Sequence, residues 1–235
     1  MRNHQDKLSL DTNGFIYTTE MISALTDEDF GDTGKVSEVY ISNGADYLKR
    51  SLGAKEAVFL AQNIRRRHES FPALPRANYN TSADQPIQGA HVDYPTSRVH
   101  DLVRRIFKEE AGNQLLRENR IQVIHVWRPL RGPVIDWPLA LCDYSSLDVD
   151  TDLVATDNVY PHVVSETFNV FHNPKHAWYY LSNQMPHESL IFKGFDNAEK
   201  VAKHCPHAAF ELMNTWDPDQ FRESVECAFL LVYSQ

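Results

Sequence analysis

Residues 121–127 read IQVIHVW, an apolar run rich in β-branched residues that stops at Arg128-Pro129. Further β-rich runs follow, each bounded by proline, asparagine, aspartate or glycine, at residues 166–171, 177–181, 189–195 and 225–233. Such punctuated runs predict short β-strands. Many short strands with few helices favour a sandwich or barrel, and a jelly roll is the natural size match. The predicted fold class is mainly β with flanking helices.

The remaining sequence predicts one domain over residues 1–235, without repeats or a linker. Residues 1–44 are interpreted as an irregular lead-in with a short extended piece near 15–18, and residues 45–235 as the core. Within the core we expect a helix at 45–52, a strand at 57–64 and loops at 71–86 and 143–162. Val99, Leu102, Val103 and Ile106 follow helical spacing, which predicts a helix near 97–110.

Composition narrows the class of partner. A net charge of −9 argues against nucleic acid, because phosphate binding needs a basic face. No apolar run approaches the roughly 20 residues of a membrane span. The N-terminus is polar, and three cysteines without C-x-x-C spacing suggest neither a disulfide framework nor a zinc ribbon. We expect a cytoplasmic protein. The sequence leaves its oligomeric state open, and a homo-oligomer is one of the alternatives.

His91 and Asp93 are two residues apart, so on an extended backbone both side chains leave the same face. An imidazole and a carboxylate side by side supply two of the three ligands of a facial iron site. An arbitrary H-x-D pair is far more often a surface feature. The metal hypothesis therefore depends on a second histidine elsewhere in the chain.

The second histidine has two candidates, His187 and His207. Arg222 and Ser224 share one face of a predicted strand, where a guanidinium beside a hydroxyl would receive the carboxylate of a small dicarboxylate cosubstrate. His207 precedes Arg222 by 15 residues, enough for a strand, a turn and the start of the next strand. His187 precedes it by 35 residues, and the spacing therefore favours His207.

These features together resemble the iron(II)/2-oxoglutarate-dependent oxygenases that have a double-stranded β-helix (jelly-roll) core. More narrowly, the chain resembles the fungal hydroxylase/desaturase family labelled AsaB-like or gibberellin-desaturase-like. The matching stretches are residues 9–15, 64–67, 91–93, 126–130, 136–143, 178–182, 206–210 and 222–226. The W-R-P run at 127–129 and the DWPLALCD run at 136–143 are the most distinctive.

The resemblance implies iron(II) held by His91, Asp93 and His207. It implies that 2-oxoglutarate chelates the iron and places its C5 carboxylate on Arg222 and Ser224. Molecular oxygen and a small molecule of specialised metabolism would be the other substrates, and hydroxylation, desaturation or oxidative cyclisation the outcome. The family pattern usually has asparagine where this chain has His125.

Other residues have two interpretations each. Arg128 is a candidate carboxylate ligand or a buried, paired arginine. Tyr179 either packs in the core or donates a hydrogen bond to the cosubstrate. Arg65, Arg66 and Arg67 are more simply a solvated basic strand end than a carboxylate site. His125 fits a core histidine, and His204 a surface residue.

Three other functions compete with this hypothesis. A non-haem iron oxygenase or cyclase that does not use 2-oxoglutarate would have no need of Arg222 and Ser224. A non-catalytic jelly-roll protein that binds small molecules would use H-x-D only structurally. A zinc hydrolase is disfavoured, because no glutamate stands at a recognisable offset from the histidines.

Overall fold

The computed structural model describes residues 1–21, 25–26, 28–73, 84–160, 163–213, 217 and 220–234. Its strands are β1 (Phe15–Thr18), β2 (Glu56–Arg66), β3 (His91–Val92), β4 (Ile121–Pro129), β5 (Leu139–Cys142), β6 (Leu153–Tyr160), β7 (Val163–Val170), β8 (Trp178–Tyr179), β9 (Ser189–Asp196), β10 (His207–Ala209) and β11 (Glu223–Val232). They form a five-stranded sheet of order β1-β9-β4-β11-β2 and a six-stranded sheet of order β6-β7-β3-β10-β5-β8. The strands within each sheet pair antiparallel, which confirms the predicted mainly β class.

Helices flank the two sheets. They are α1 (Thr33–Lys35), α2 (Ser42–Leu52), α3 (Thr96–Phe107), α4 (Glu109–Glu118) and α5 (Val149–Asp152), and a π-helical segment, Val36–Ile41, joins α1 to α2. Single 3₁₀ turns occupy Arg2–Lys7, Glu28–Gly31 and Tyr144–Ser146. Helix α2 ends where Gly53 takes the left-handed conformation (φ 74°), as glycine commonly does at helix C-termini.

The five-stranded sheet is covered on both faces. On its outer face Ile124, Val126 and Phe229 pack against Tyr40 and Leu48 of the N-terminal helical region. Its inner face looks toward the six-stranded sheet, where Phe15, Trp127 and Phe192 contact Leu141. All nine residues of β4 are buried, which explains why this strand has no regular alternation of apolar and polar residues.

A buried ion network fastens the connection that leads from β9 to β10. The Lys193 ammonium is fully buried and donates to Asp196 Oδ2 (2.6 Å), Asp11 Oδ1 (2.8 Å) and the Ala202 carbonyl (3.1 Å). Arg120 donates to both carboxylates at 2.7 Å. These contacts join the N-terminal segment, β9 and the residues just before His207.

Several predicted boundaries were wrong. The extended piece predicted near 15–18 is confirmed as β1, but the rest of residues 1–44 is not simply irregular, because a helical run begins at Thr33. The loop predicted at 143–162 contains α5 and β6, whose polar sequence suits an exposed hairpin with β7. The helix predicted near 97–110 ends at Phe107, where Lys108 takes φ 69° and α4 begins. Residues 74–83 of the predicted 71–86 loop lie outside the described residues.

The ion network predicts that a Lys193→Met variant has a lower free energy of unfolding than the wild type. Removing one partner of a buried charge cluster leaves the Asp196 carboxylate undercompensated, which typically costs about 3–5 kcal/mol. Denaturant unfolding should report this loss. The control is Lys49→Met, which removes the exposed ion pair with Asp46 and should change the unfolding midpoint little. Equal midpoints for the two variants would contradict the assigned role.

Candidate metal centre

Three potential metal ligands meet where β3 pairs with β10. The register places His91 directly opposite His207, so both imidazoles lie on one face of the six-stranded sheet. The ring centroids are 4.4 Å apart. Asp93 lies between them, with Oδ1 3.6 Å from His91 Nε2 and Oδ2 3.5 Å from His207 Nε2. The structure therefore brings together the three residues that the sequence analysis favoured.

The imidazoles are held in the orientation that a metal requires. His91 Nδ1 lies 2.8 Å from the Gly89 carbonyl, and His207 Nδ1 lies 3.1 Å from the Cys205 carbonyl. Each Nδ1–H can donate to its carbonyl, so both Nε2 atoms face Asp93, where a bound metal would take their lone pairs. Ligand atoms about 2.1 Å from a metal at right angles lie about 3 Å apart. Small side-chain shifts would therefore complete the donor set.

The charges of the three groups are strongly linked. Burial alone would raise the pKa of Asp93, but the hydrogen bond and charge of His207, with the charges of His125 and His91, hold it well below its usual value. Burial lowers the pKa of His91, and the neighbouring His207 lowers it further. Burial also opposes the charge of His207, yet Asp93 raises its pKa overall. An ionised carboxylate beside a neutral His91 suits a divalent metal.

The hairpin argument for His207 was wrong, although the residue it selected is at the site. β10 belongs to the six-stranded sheet and β11 to the five-stranded sheet, so the two strands do not pair. The chain between them crosses from one sheet to the other. His207 and Arg222 nevertheless line the same narrow cavity, from opposite layers.

The cavity contains a positive group with an unusual environment. The Arg222 side chain is buried, and its Nη1 donates to the Trp137 carbonyl at 2.8 Å. Nε and Nη2 lie 3.3 and 3.2 Å from Ser224 Oγ, which confirms that Arg222 and Ser224 share a face. Among the described residues this guanidinium has no carboxylate partner at ion-pair distance. Burial, and next the like charge of Arg65, lower its pKa to about 9.

Two neighbours that sequence reasoning did not assign to the site hold Arg222 in place. Asp136 Oδ2 accepts the backbone N–H of Arg222 at 3.1 Å, and the next residue, Trp137, supplies the carbonyl for the guanidinium. The Trp127 ring lies 5.1 Å from that guanidinium. The distinctive D-W-P run therefore has a physical role. The D-W-P run was recognisable in the sequence, but only the fold shows that it contacts Arg222.

Other cavity residues follow from strand register. Arg65 lies opposite Ser224, and Asn63 opposite Glu226, so these side chains share the inner face of the five-stranded sheet. The alternation Arg222, Ser224, Glu226 could have revealed Glu226 from sequence, because every second residue of a strand faces the same side. The complete lining is Asn63, Arg65, Ile87, His91, Asp93, Trp127, Leu139, His207, Ala208, Ala209, Arg222 and Glu226.

Two predicted cosubstrate ligands lie elsewhere. Arg128 pairs with Val225 on the outer face of the sheet, and its guanidinium packs 5.4 Å from the Phe30 ring and 5.3 Å from the Tyr40 ring. Tyr179 packs beside Phe15, with ring centroids 5.7 Å apart, and does not line the cavity. Arg128 therefore does not reach the cavity, and Tyr179 lines a neighbouring pocket that shares Ala208 and Ala209 with it.

Two secondary expectations also need correction. The strand end at residues 65–67 is not simply solvated, because the Arg67 side chain is buried 3.5 Å from Asp136, while Arg66 pairs with Glu223 at the surface. His204 is buried, with Nδ1 2.9 Å from the Gly194 carbonyl. His125 is buried as expected but lies beside Asp93.

A larger groove opens from the cavity to solvent. It has a volume of about 600 Å³ and shares Arg65, Ile87 and Asp93 with the cavity. Helix α3 forms one wall and the β6–β7 hairpin the other. A molecule lying in this groove would reach the side of Asp93.

Comparison with known proteins decides the family. The family described as an oxidoreductase/YMDC permease-like domain matches residues 1–232. The hydroxylase/desaturase efuI of Hormonema carpetanum is 30% identical over 99% of this chain and 81% of its own length. The chain belongs to the fungal iron(II)/2-oxoglutarate-dependent hydroxylase and desaturase family. It is therefore an oxidoreductase.

Two further matches agree with this membership. The Fe(II)/2-oxoglutarate-dependent dioxygenase nvfI of Aspergillus novofumigatus is 28% identical over 89% of this chain and 73% of its own length. The solved structure of the iron and alpha-ketoglutarate-dependent endoperoxidase NvfI superposes with a TM-score of 0.87, at 26% identity over 99% of this chain and 83% of that one. This likeness supports a jelly-roll core. Among the described residues, no helix has the length and apolar character needed to cross a bilayer.

The geometry predicts which histidine controls iron binding. His207→Ala should raise the iron(II) dissociation constant on the order of 100-fold or more, since loss of a ligand exceeds the 10–100-fold effect of losing an outer partner. Anaerobic calorimetry measures this constant. His187→Ala is the matched control and should bind like the wild type, because His187 does not line the cavity. The reverse pattern would assign the distal ligand to His187.

Proposed function

We propose that His91, Asp93 and His207 bind iron(II), and that the enzyme uses 2-oxoglutarate and oxygen to oxidise a small molecule of specialised metabolism. The observation that carries this proposal is the pairing of two sites in one cavity. One is a donor set of two imidazoles and a carboxylate, and the other is a buried guanidinium without a carboxylate partner among the described residues. Hydroxylation, desaturation and oxidative cyclisation are the outcomes that this chemistry allows.

The donor set fits iron(II). Two histidines and one carboxylate on one side of a metal form the facial arrangement of non-haem iron oxygenases, which leaves positions open for other ligands. The backbone carbonyls of Gly89 and Cys205 already fix both imidazoles through Nδ1. Metal binding would therefore cost little side-chain entropy, because the imidazoles are oriented before the metal binds.

The Arg222 environment fits one end of a dicarboxylate. A buried charge without a counter-ion is unfavourable, and a carboxylate on Arg222 and Ser224 would supply one. Arg65 adds a second positive charge to the same cavity, and its charge lowers the pKa of Arg222. Two neighbouring positive charges favour the binding of a dianion. We place the C5 carboxylate of 2-oxoglutarate on Arg222 and Ser224, with the opposite end directed toward the metal ligands.

Iron with this cosubstrate and oxygen supplies the oxidising power, converting 2-oxoglutarate to succinate and carbon dioxide while a substrate C–H bond is oxidised. The chain's own residues bind and orient the cosubstrate, and they exclude water from the cavity. Trp127 and Leu139 give the cavity apolar walls, and Asp136 and Trp137 hold the Arg222 backbone and guanidinium. A dry cavity strengthens the charge interactions inside it.

The substrate would enter through the groove between α3 and the β6–β7 hairpin. That groove has room for a metabolite of moderate size and meets the metal ligands at Asp93. Its lining mixes the aliphatic side chains of Ile87, Leu102 and Val164 with charged ones such as Arg98 and Glu166. We place the protein in the cytoplasm, which its three free, buried cysteines support.

Arg222 distinguishes this function from an iron oxygenase that works without 2-oxoglutarate. Bidentate chelation gives a visible charge-transfer band in the anaerobic iron(II) protein. In Arg222→Gln, 2-oxoglutarate should bind about 10- to 100-fold more weakly by titration of this band, since a charge-assisted hydrogen bond is lost. Arg66→Gln is the control because Arg66 pairs with Glu223 away from the cavity. Wild-type iron protein without the band would favour the cosubstrate-free oxygenase.

Arg65 should assist cosubstrate binding through its charge. Removing it in Arg65→Gln leaves one guanidinium to attract the dianion, and the dissociation constant for 2-oxoglutarate should rise severalfold. The same band titration measures it, again with Arg66→Gln as control. The effect should weaken at high salt if it is electrostatic. Unchanged binding would restrict cosubstrate recognition to Arg222 and Ser224.

A further inference from the structure

Arg67 is a buried arginine directly after β2, and the proposed function gives it no role. Its side chain is 6% exposed, and its guanidinium lies 4.5 Å from the centre of the Phe221 ring. Nη1 is at ion-pair distance from Asp136 Oδ2 (3.5 Å), yet Nε and Nη1 make no hydrogen bond within the described part of the chain. Nη2 reaches the Phe71 carbonyl at 3.4 Å. Burying a charge is costly, so this arginine requires an explanation.

The Asp136 carboxylate links Arg67 to the cosubstrate site. It is 7% exposed, and its Oδ2 faces Arg67 while accepting the backbone N–H of Arg222 at 3.1 Å. Oδ1 has no hydrogen-bond partner among the described residues. Asp136 thus holds the backbone of Arg222, while the guanidinium of Arg222 donates to the Trp137 carbonyl and to Ser224 Oγ.

The backbone joins the two arginines from the other side. The N–H of Arg67 donates to the Arg222 carbonyl at 2.9 Å, so Arg67 and Asp136 together hold both backbone groups of Arg222. The Phe71 ring packs on the Trp137 ring with centroids 4.8 Å apart, beside the carbonyl that binds the guanidinium. Arg67 is therefore part of the frame around Arg222, although it is not among the residues that line the cavity.

Asp136 also places a negative charge near the guanidinium that the proposed cosubstrate needs. Burial, and next the charge of Arg65, lower the pKa of Arg222, whereas the charge of Asp136 opposes both effects. An isolated carboxylate at this position would compete with a dicarboxylate for the positive charge of Arg222. The Arg67 guanidinium, 3.5 Å from Oδ2, offsets that negative charge.

We propose that Arg67 is a positioning residue for the cosubstrate, which pairs with Asp136 and so leaves the charge of Arg222 to the C5 carboxylate of 2-oxoglutarate. This inference rests on the proposed function. Arg67 acts only through Asp136 and does not touch the cosubstrate. The carboxylate fixes the Arg222 backbone, and the second arginine prevents that carboxylate from becoming the counter-ion of the first.

The test is a charge cycle in which the anaerobic charge-transfer band reports 2-oxoglutarate affinity and calorimetry reports iron(II) affinity. Arg67→Met should weaken 2-oxoglutarate binding about 10-fold and leave iron affinity unchanged, because the uncompensated Asp136 charge then acts on Arg222. Arg67→Lys should restore most of the affinity, since it keeps the positive charge. The double variant Arg67→Met/Asp136→Asn should bind near the wild-type value, because both charges leave together and asparagine keeps an acceptor for the Arg222 N–H.

Arg66→Met is the matched control, since this adjacent arginine pairs with Glu223 at the surface, and it should bind 2-oxoglutarate like the wild type. A purely structural Arg67 would lower the unfolding temperature of Arg67→Met without changing its 2-oxoglutarate affinity, which would overturn the proposal. Equal weakening in Arg67→Met and the double variant would also overturn it, because the Asp136 charge would then not be the cause.

If Arg67→Met does not fold, the single variant Asp136→Asn decides. Removing the negative charge should leave 2-oxoglutarate binding unchanged or tighter, and weaker binding would contradict the proposal. Wild-type protein that binds iron(II) without giving the band would defeat the proposed function, and this inference with it. A normal wild-type band that Arg67→Met leaves unaltered in affinity would defeat this inference alone.

Discussion

The proposed metal centre depends on the backbone register between β3 and β10, two of the shortest strands among the described residues. Because His91 stands opposite His207, both imidazoles leave the sheet on one side and meet Asp93. A slip of one residue would turn one imidazole to the far face. β10 is also paired with β5 along its whole length, and the buried Lys193 network anchors the chain just before it. The register of the three-residue strand β10 is therefore fixed by its pairing with β5 and by the Lys193 network.

The two faces of the five-stranded sheet have different roles, because one packs in a hydrophobic core and the other lines the cavity. Along β11, Glu226 lines the cavity and Ser224 contacts Arg222 from the same face, whereas Val225 and Phe229 pack under the N-terminal helical region. β4 makes the same division between Trp127 and Arg128. The proposed cosubstrate site on one face thus lies directly above a hydrophobic core on the other, so its side chains project from a rigid support.

Sequence reasoning succeeded where the period of a strand was enough and failed where the choice of face or sheet was needed. Strand periodicity predicted the β class and the shared face of Arg222 and Ser224. The H-x-D pair and the choice of His207 predicted residues that the fold brings together, and their role as metal ligands stays a prediction. Sequence reasoning could not tell that Arg128 faces outward, because β4 is buried on both sides. Nor could it see that β10 and β11 belong to different sheets. Sequence spacing measures chain length, whereas sheet membership follows from packing over the whole chain.

The N-terminal segment has a consequence for the order of folding. The terminal ammonium donates to the Tyr180 carbonyl, Arg2 binds Glu188, β1 pairs with β9, and the Asp11 carbonyl accepts the N–H of Ala202. Every one of these partners is made late in synthesis. Residues 1–18 must therefore wait on the ribosome, with Phe15 uncovered, until most of the chain has emerged. Native contacts so distant in sequence form slowly, so β1 joins its sheet late in folding.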